Sequence, residues 1–390
     1  MKTLIQALTL TVLSVTATST AFAAAPMCSQ VFHEASPAAS FSEKGIRMFR
    51  SPTLGKSLAY DLKAGSKKPT WLFIHGLGDD MSYMAPLARQ AEAEGYKVLR
   101  VDLFGHGETL RNQLAENGNV LPKSFPYQEN VVALKELLQA LDIKDLVIVG
   151  HSYGGGISYA LTRELTLNPG SQPIHVESVH MLAPYVQRID KFMQGQLQST
   201  DFLMNKTKET MDSMGMKNVP GANVMDPMMR MGMAMSSGIY SLWHASLHAT
   251  KLEDALMDPA LESYMRNSYR KHFVARLGKP EEQLTQTEKA SVDLQVGAAI
   301  LATKGIRELD LLDPARPLEN LGVPVHVIGG ATDTLVTPEY LQQFQKRLAQ
   351  SQVPHWLEFV QGDGSGHFFP QALSQDAYAR IKKFHDYVTR

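Results

Sequence analysis

Uninterrupted apolar runs that stop at glycine-bearing turns are the feature that most restricts how this chain can fold. Run 71–74 halts at His75-Gly76-Leu77-Gly78, and run 146–149 halts at Gly150-His151-Ser152-Tyr153-Gly154. Segments 176–182, 325–328 and 356–360 are further strand candidates, and 97–101 ends at Asp102. A strand without polar–apolar alternation is covered on both faces, as in a parallel sheet sandwiched by helices. Segments of helical spacing lie between the runs, at 85–94, 127–141, 153–165, 338–349 and 371–388. In 127–141 the apolar residues Val131, Leu134, Leu138 and Leu141 fall three and four apart. Strand and helix in alternation predict an α/β fold with a mostly parallel sheet flanked by helices. Residues 46–49 and 57–62, joined through Ser51-Pro52-Thr53-Leu54-Gly55, read as a leading hairpin.

The ends and the middle of the chain behave differently. Lys2, an uncharged stretch over 4–17 and Ala21-Phe22-Ala23 have the makeup of a cleaved signal peptide, residues 1–23. That predicts export, to the periplasm or beyond, with no stable membrane span left after cleavage. Residues 24–45 are an irregular lead-in rich in Ala, Ser and Pro. The single cysteine, Cys28, cannot form an internal disulfide, so the fold stands on packing alone. The strand–helix rhythm occupies 46–184 and resumes over 306–390. Residues 185–305 interrupt it with helix-compatible segments broken at Pro220-Gly221, Pro227 and Pro259. An insertion leaving the sheet at this point is expected to be a helical cap. More than half of the 19 methionines lie between Met193 and Met235; such side chains suit a pliant apolar acyl chain, or simply pack cap helices together.

Charge excludes several partners. Thirty-eight basic and 39 acidic side chains leave a net charge of -1, and no block of like charge occurs. Nothing there invites a nucleic-acid backbone or an anionic membrane. Neither an H-E-x-x-H run nor paired cysteines mark a metal site, and there is no dinucleotide fingerprint or phosphate loop. No metal and no cofactor are expected.

The G-x-S-x-G pentapeptide at 150–154 follows one strand directly and precedes a helix. A serine at such a sharp turn is lifted above the carboxyl edge of the sheet, at a helix N-terminus. Ser152 is therefore the expected nucleophile, and the Tyr153 N–H can face a developing oxyanion. A serine hydroxyl needs an imidazole to take its proton. His367, in Gly364-Ser365-Gly366-His367-Phe368, follows strand 356–360 on a glycine-rich loop and is the expected base. His106 is its strongest competitor; the His151 side chain is expected to point away from the serine, and His75 to brace backbone. Asp333 ends strand 325–328 and is the expected acid that fixes the imidazole tautomer. An Asx turn or helix cap at Asp333, and Asp102 at the end of 97–101, are the rival readings. The order serine, acid, histidine over three successive loops restricts the choice more than any single motif.

On these motifs the chain resembles the α/β-hydrolase superfamily, in particular its lidded serine esterases, lipases and monoglyceride-lipase-like members. The resemblance implies that the His75-Gly76-Leu77-Gly78 loop supplies a second oxyanion donor, the Leu77 N–H. It also implies that Asp102-Leu103-Phe104-Gly105-His106-Gly107 shapes the floor of the site. The function expected is hydrolysis of a small apolar carboxylic ester through an acyl-enzyme. The same triad also serves C–C, amide or lactone hydrolysis, acyl transfer and cofactor-free haloperoxidation, and such folds also occur as non-catalytic ligand-binding homologues.

Overall fold

A computed structural model describes residues 45–187, 259–306, 309–313, 318–333 and 335–390 of the chain. The signal peptide, Cys28, nearly all of the lead-in and the Met-rich part of the expected cap lie outside the described residues.

Eight strands form one sheet: β1 (Arg47–Arg50), β2 (Ser57–Lys63), β3 (Lys67–Ile74), β4 (Tyr96–Asp102), β5 (Asp145–His151), β6 (His175–Leu182), β7 (Val325–Gly330) and β8 (His355–Val360). Their order is β1-β2-β4-β3-β5-β6-β7-β8. Strand β2 runs antiparallel to β1 and β4, so the leading pair is the expected hairpin, and all other pairings are parallel. The described helices are α1 (Ala85–Ala93), α2 (Gly107–Glu116), α3 (Tyr127–Ala140), α4 (Tyr153–Leu167), α5 (Pro259–Arg276), α6 (Gln286–Gly305), α7 (Pro338–Gln350), α8 (Phe369–Ala372) and α9 (Ser374–Val388). Helix α2 has no counterpart in the sequence reading, because its buried face is Thr109, Leu110, Gln113 and Leu114, half of it polar. The last helix, expected as one piece, is interrupted at Leu373, whose backbone leaves the helical region.

Burial follows from this layering. Leu146, Val147, Ile148 and Val149 are all fully buried, so both faces of β5 are covered. Trp71 of β3 packs beneath α9, with ring centroids 5.7 Å from Tyr378 and 5.6 Å from His385. Helices α5 and α6 pack on one another around Tyr269, Phe273, Val292, Val296 and Ile300. Ala298 and Ala302 of α6 join the main core as well, so α6 belongs to both clusters. Strand β3 lies between β4 and β5, and the order of strands reverses there. At such a switch point the loops from neighbouring carboxyl ends diverge and leave a crevice.

A chain of buried polar groups crosses the sheet away from that crevice. The Glu358 carboxylate accepts from His326 Nε2 at 2.8 Å, and the His326 and His180 Nδ1 atoms are 3.2 Å apart. Ser178 Oγ lies 3.0 Å from His180 Nε2 and 3.3 Å from His385 Nδ1. With one proton per ring each contact pairs a donor with an acceptor; a second proton on His326 would set its Nδ1–H against that of His180. Burial holds all three imidazoles below their ordinary range, His385 at about 4. Unfolded histidine takes its second proton near pH 6.5. The unfolded chain therefore binds more protons below that value, and each such histidine removes about 1.4 kcal/mol of stability per pH unit until its folded pKa is reached. The stability measured by urea denaturation is expected to fall steadily from pH 6.5 to 4, with a shallower slope in His385→Gln. A profile equally steep in the variant would contradict this.

Candidate active site

Ser152 occupies the one residue between β5 and α4, with φ 51° and ψ −116°. A positive φ on a residue with a Cβ costs roughly 1–3 kcal/mol and persists only when the surroundings hold it. They do so here through the main chain. The Ser152 N–H donates to the Leu182 carbonyl at 2.9 Å, and the Ser152 carbonyl accepts from Gly155 and Tyr185 at 2.9 and 2.8 Å. Helix α4 also passes so close to β3 that a Cβ on Gly154 would lie 2.4 Å from the Ile74 carbonyl oxygen.

His367 and Asp333 arrive on the loops after β8 and β7. His367 Nε2 is 3.1 Å from Ser152 Oγ, and His367 Nδ1 is 2.9 Å from Asp333 Oδ2. Both His367 and Asp333 are buried. The other Asp333 oxygen, Oδ1, accepts from the N–H groups of Leu335 and Val336, each at 2.8 Å. Asp333 thus forms the Asx turn of the rival reading and holds the imidazole at once, while the cap of α7 is Thr337. With Asp333 accepting at Nδ1, Nε2 is left free to accept the serine proton.

The loop after β3 lies against the same turn. Ile74 is in register with Gly150, and a Cβ on Gly76 would be 3.3 Å from Ser152 Cβ. Leu77, the next residue, is half-buried above it. Tyr153 opens α4, where the first N–H groups have no intrahelical acceptor. Its phenol points down into the core and accepts from Asn130 Nδ2 at 3.3 Å.

The competitors fall elsewhere. His106 is buried beside His75 and donates to the Phe104 carbonyl; burial, reinforced by His75, pushes its imidazole down to about 3. His75 accepts at Nε2 from the Leu103 N–H and donates at Nδ1 to the Gly76 carbonyl, so it braces two loops. The Asp102 carboxyl accepts from the Met81 and Glu108 N–H groups at 2.6 and 2.7 Å. Burial, then the charge of Asp80, raises its carboxyl to about 8. It ties the segment after β3 to the start of α2 and does not reach the imidazole of His367.

A family model of the alpha/beta hydrolases matches residues 71–381, well over half of the chain. The chain belongs to the alpha/beta hydrolase family. A Haemophilus influenzae protein provisionally named an esterase/lipase is 30% identical over 106 residues, which are 26% of this chain and 32% of the relative. The chain spans about a third of that relative's length. Among solved structures, a membrane phospholipase A described as a bacterial virulence factor superposes with a TM-score of 0.54 at 16% identity, covering 100% of both chains. A carboxylesterase of Nitrososphaera gargenis superposes with a TM-score of 0.50 at 16% identity, covering 88% of this chain and 99% of that one. At these identities the two structures speak to the fold of this alpha/beta hydrolase alone.

Two features of this hydrolase's site escaped the sequence reading. His151 does turn away from the serine hydroxyl, but its Nε2 donates to the His367 main-chain carbonyl at 3.0 Å while its ring stacks on Tyr83 at 4.8 Å. Burial, then the neighbouring His367, pushes the His151 imidazole down to about 3, so it remains a neutral donor beneath His367. Strand alternation marks the direction of its side chain but not its partner. The second feature is an acidic pair, the buried Asp79 and the half-buried Asp80, which faces Arg276 of α5 across 196 residues of sequence. Gly154 is one of several core glycines at which main-chain atoms leave no room for a Cβ. Gly154→Ala is expected to lower unfolding free energy by roughly 2 kcal/mol or more through overpacking against backbone. A loss under 0.5 kcal/mol by urea denaturation would contradict that packing.

Proposed function

We propose that this chain hydrolyses carboxylic esters with an apolar acyl group through an acyl-enzyme. The hydrogen-bonded series Asp333–His367–Ser152 carries the reading. His367 Nε2 takes the Ser152 proton as Oγ attacks the ester carbonyl, and Asp333 steadies the imidazolium that forms. The oxyanion is met by the N–H groups of Tyr153 and Leu77; losing one such donor typically costs about two to three orders of magnitude in rate. Collapse breaks the bond to the alcohol oxygen, which leaves with the proton held by His367. Water then gives its proton to His367 and attacks the acyl group, releasing the acid and restoring Ser152.

An ester substrate is favoured by what the sequence relative from Haemophilus influenzae is named for, an esterase/lipase. An ester also makes less demand on the site than an amide, because its carbonyl is less resonance-stabilised and an alcohol is a better leaving group than an amine. On the same footing, residues 1–23 favour an exported enzyme.

A series of p-nitrophenyl esters of increasing acyl length tests the reading. The parent is expected to turn over at least one of them and to be labelled by a fluorophosphonate. Ser152→Ala is expected to abolish labelling and to lower kcat by about 10⁶, and Asp333→Asn by about 10⁴. Ester turnover by Ser152→Ala within tenfold of the parent would overturn the assignment.

A further inference from the structure

We infer that helix α5 belongs to the catalytic apparatus, with Arg276 as a positioning residue that, helped by His272, sets the oxyanion loop. The inference rests on the ester-hydrolase reading above and extends it to residues outside the hydrolase sheet. The loop 76–80 has an intrinsic difficulty. It must present the Leu77 N–H at a fixed point, yet Leu77 is flanked by two glycines, and Gly78 sits at φ 79°. Glycine leaves a backbone free to move unless something outside the loop restrains it.

Helix α5 supplies that restraint along one face. Tyr269, His272 and Arg276 fall at i, i+3 and i+7, which share one side of a helix. The Tyr269 ring is 3.7 Å from where a Cβ on Gly78 would be. Arg276 reaches three groups of the loop: Asp80 Oδ2 at 2.6 Å, Asp79 Oδ1 at 3.8 Å and the Gly78 carbonyl at 3.4 Å. His272 Nε2 lies 3.4 Å from Asp79 Oδ1. The same imidazole stacks on Phe368, the neighbour of His367, with 6.2 Å between centroids and 13° between planes. One helical face therefore touches both the loop that would bind the oxyanion and the loop that carries the base.

The electrostatics make this contact more than packing. Asp79 is 5% exposed, and burial alone would raise the carboxyls of both Asp79 and Asp80. His272, Arg276 and His151 together outweigh burial at Asp79, and Arg276 with Ser82 and His75 outweighs it at Asp80, so both carboxyls are held below their usual range. Without the guanidinium, the Asp79 carboxylate, buried next to the half-buried Asp80, would lose a positive partner, and the loop would shift to hydrate it. The Asp79 N–H donates to the Gly76 carbonyl at 3.3 Å, closing a turn with Leu77 inside it. A shift of Asp79 therefore carries the Leu77 N–H with it. A planar fork suits three acceptors at once, which a lysine ammonium does not.

A thionoester provides a readout that a purely structural role would not move. Sulfur accepts hydrogen bonds weakly, so replacing the carbonyl oxygen penalises catalysis in proportion to what the oxyanion donors contribute. The kcat/KM ratio of p-nitrophenyl butyrate to its thiono counterpart is to be compared in the parent, Arg276→Gln, Arg276→Lys and Asp80→Asn, each checked for folding by circular dichroism. A misplacement near 1 Å can cost on the order of 100-fold. Arg276→Gln is expected to lower kcat on the oxygen ester at least about tenfold, with KM changed less than about threefold and the oxygen-to-sulfur ratio falling. Arg276→Lys is expected to recover part of both, and Asp80→Asn to shift them in the same direction, carrying the test if Arg276→Gln does not fold. A ratio unchanged from the parent in the folded variants would overturn the inference while leaving the ester reading intact. Failure of the parent on every ester would sink that reading and this inference with it.

Discussion

Helix α4 meets strand β3 backbone to backbone, and no side chain fits between them at Gly154. That approach brings the start of the helix directly over the end of the sheet. The chain then has a single residue in which to turn from β5 into α4, and Ser152 accepts a left-handed backbone to make that turn. Its main-chain groups are bonded to Leu182, Gly155 and Tyr185, so the conformation is fixed by β6 and the segment after it as much as by its own helix. Everything proposed about chemistry depends on that raised hydroxyl.

The parallel sheet does the rest of the assembly. Because β3, β5, β7 and β8 run in the same direction, their carboxyl ends lie on one edge, and the loops after them meet there. Residues far apart in sequence are then brought within hydrogen-bonding distance, as His367 and Ser152 are across 215 positions. The polar groups beneath the site keep this edge rigid. His75, His151 and Asp102 each bond main-chain atoms of neighbouring loops, and none of them touches Ser152 Oγ. Burial keeps the two imidazoles neutral, so they brace without competing for the proton.

The parts legible in the sequence were those written in local patterns. Buried strands announce themselves by runs such as 146–149, and the sharp turn at Ser152 by glycines at fixed offsets from it. His367 and Asp333 were legible because each follows a strand in the order the sheet requires. What stayed hidden depends on distant partners. Asp79 and Asp80 look like ordinary loop acids until α5 lays Arg276 across them, and no periodicity links 80 to 276. Helix α2 is hidden for a different reason: its buried stripe holds only two apolar residues, Leu110 and Leu114, and its start is tied by bonds from Glu108 N–H and Thr109 Oγ1 to Asp102. The roles of His151 and His272 depend on ring stacking with Tyr83 and Phe368, which leaves no trace in spacing.

In the proposed mechanism the acyl group passes through a covalent ester with Ser152 Oγ. Rapid mixing with an ester whose acyl-enzyme hydrolyses slowly, followed by acid quench and peptide mass spectrometry, would catch that ester. A transient mass increase equal to the acyl group is expected on Ser152, decaying as the free acid appears. Steady release of acid with no such adduct, or an adduct on another residue, would contradict it.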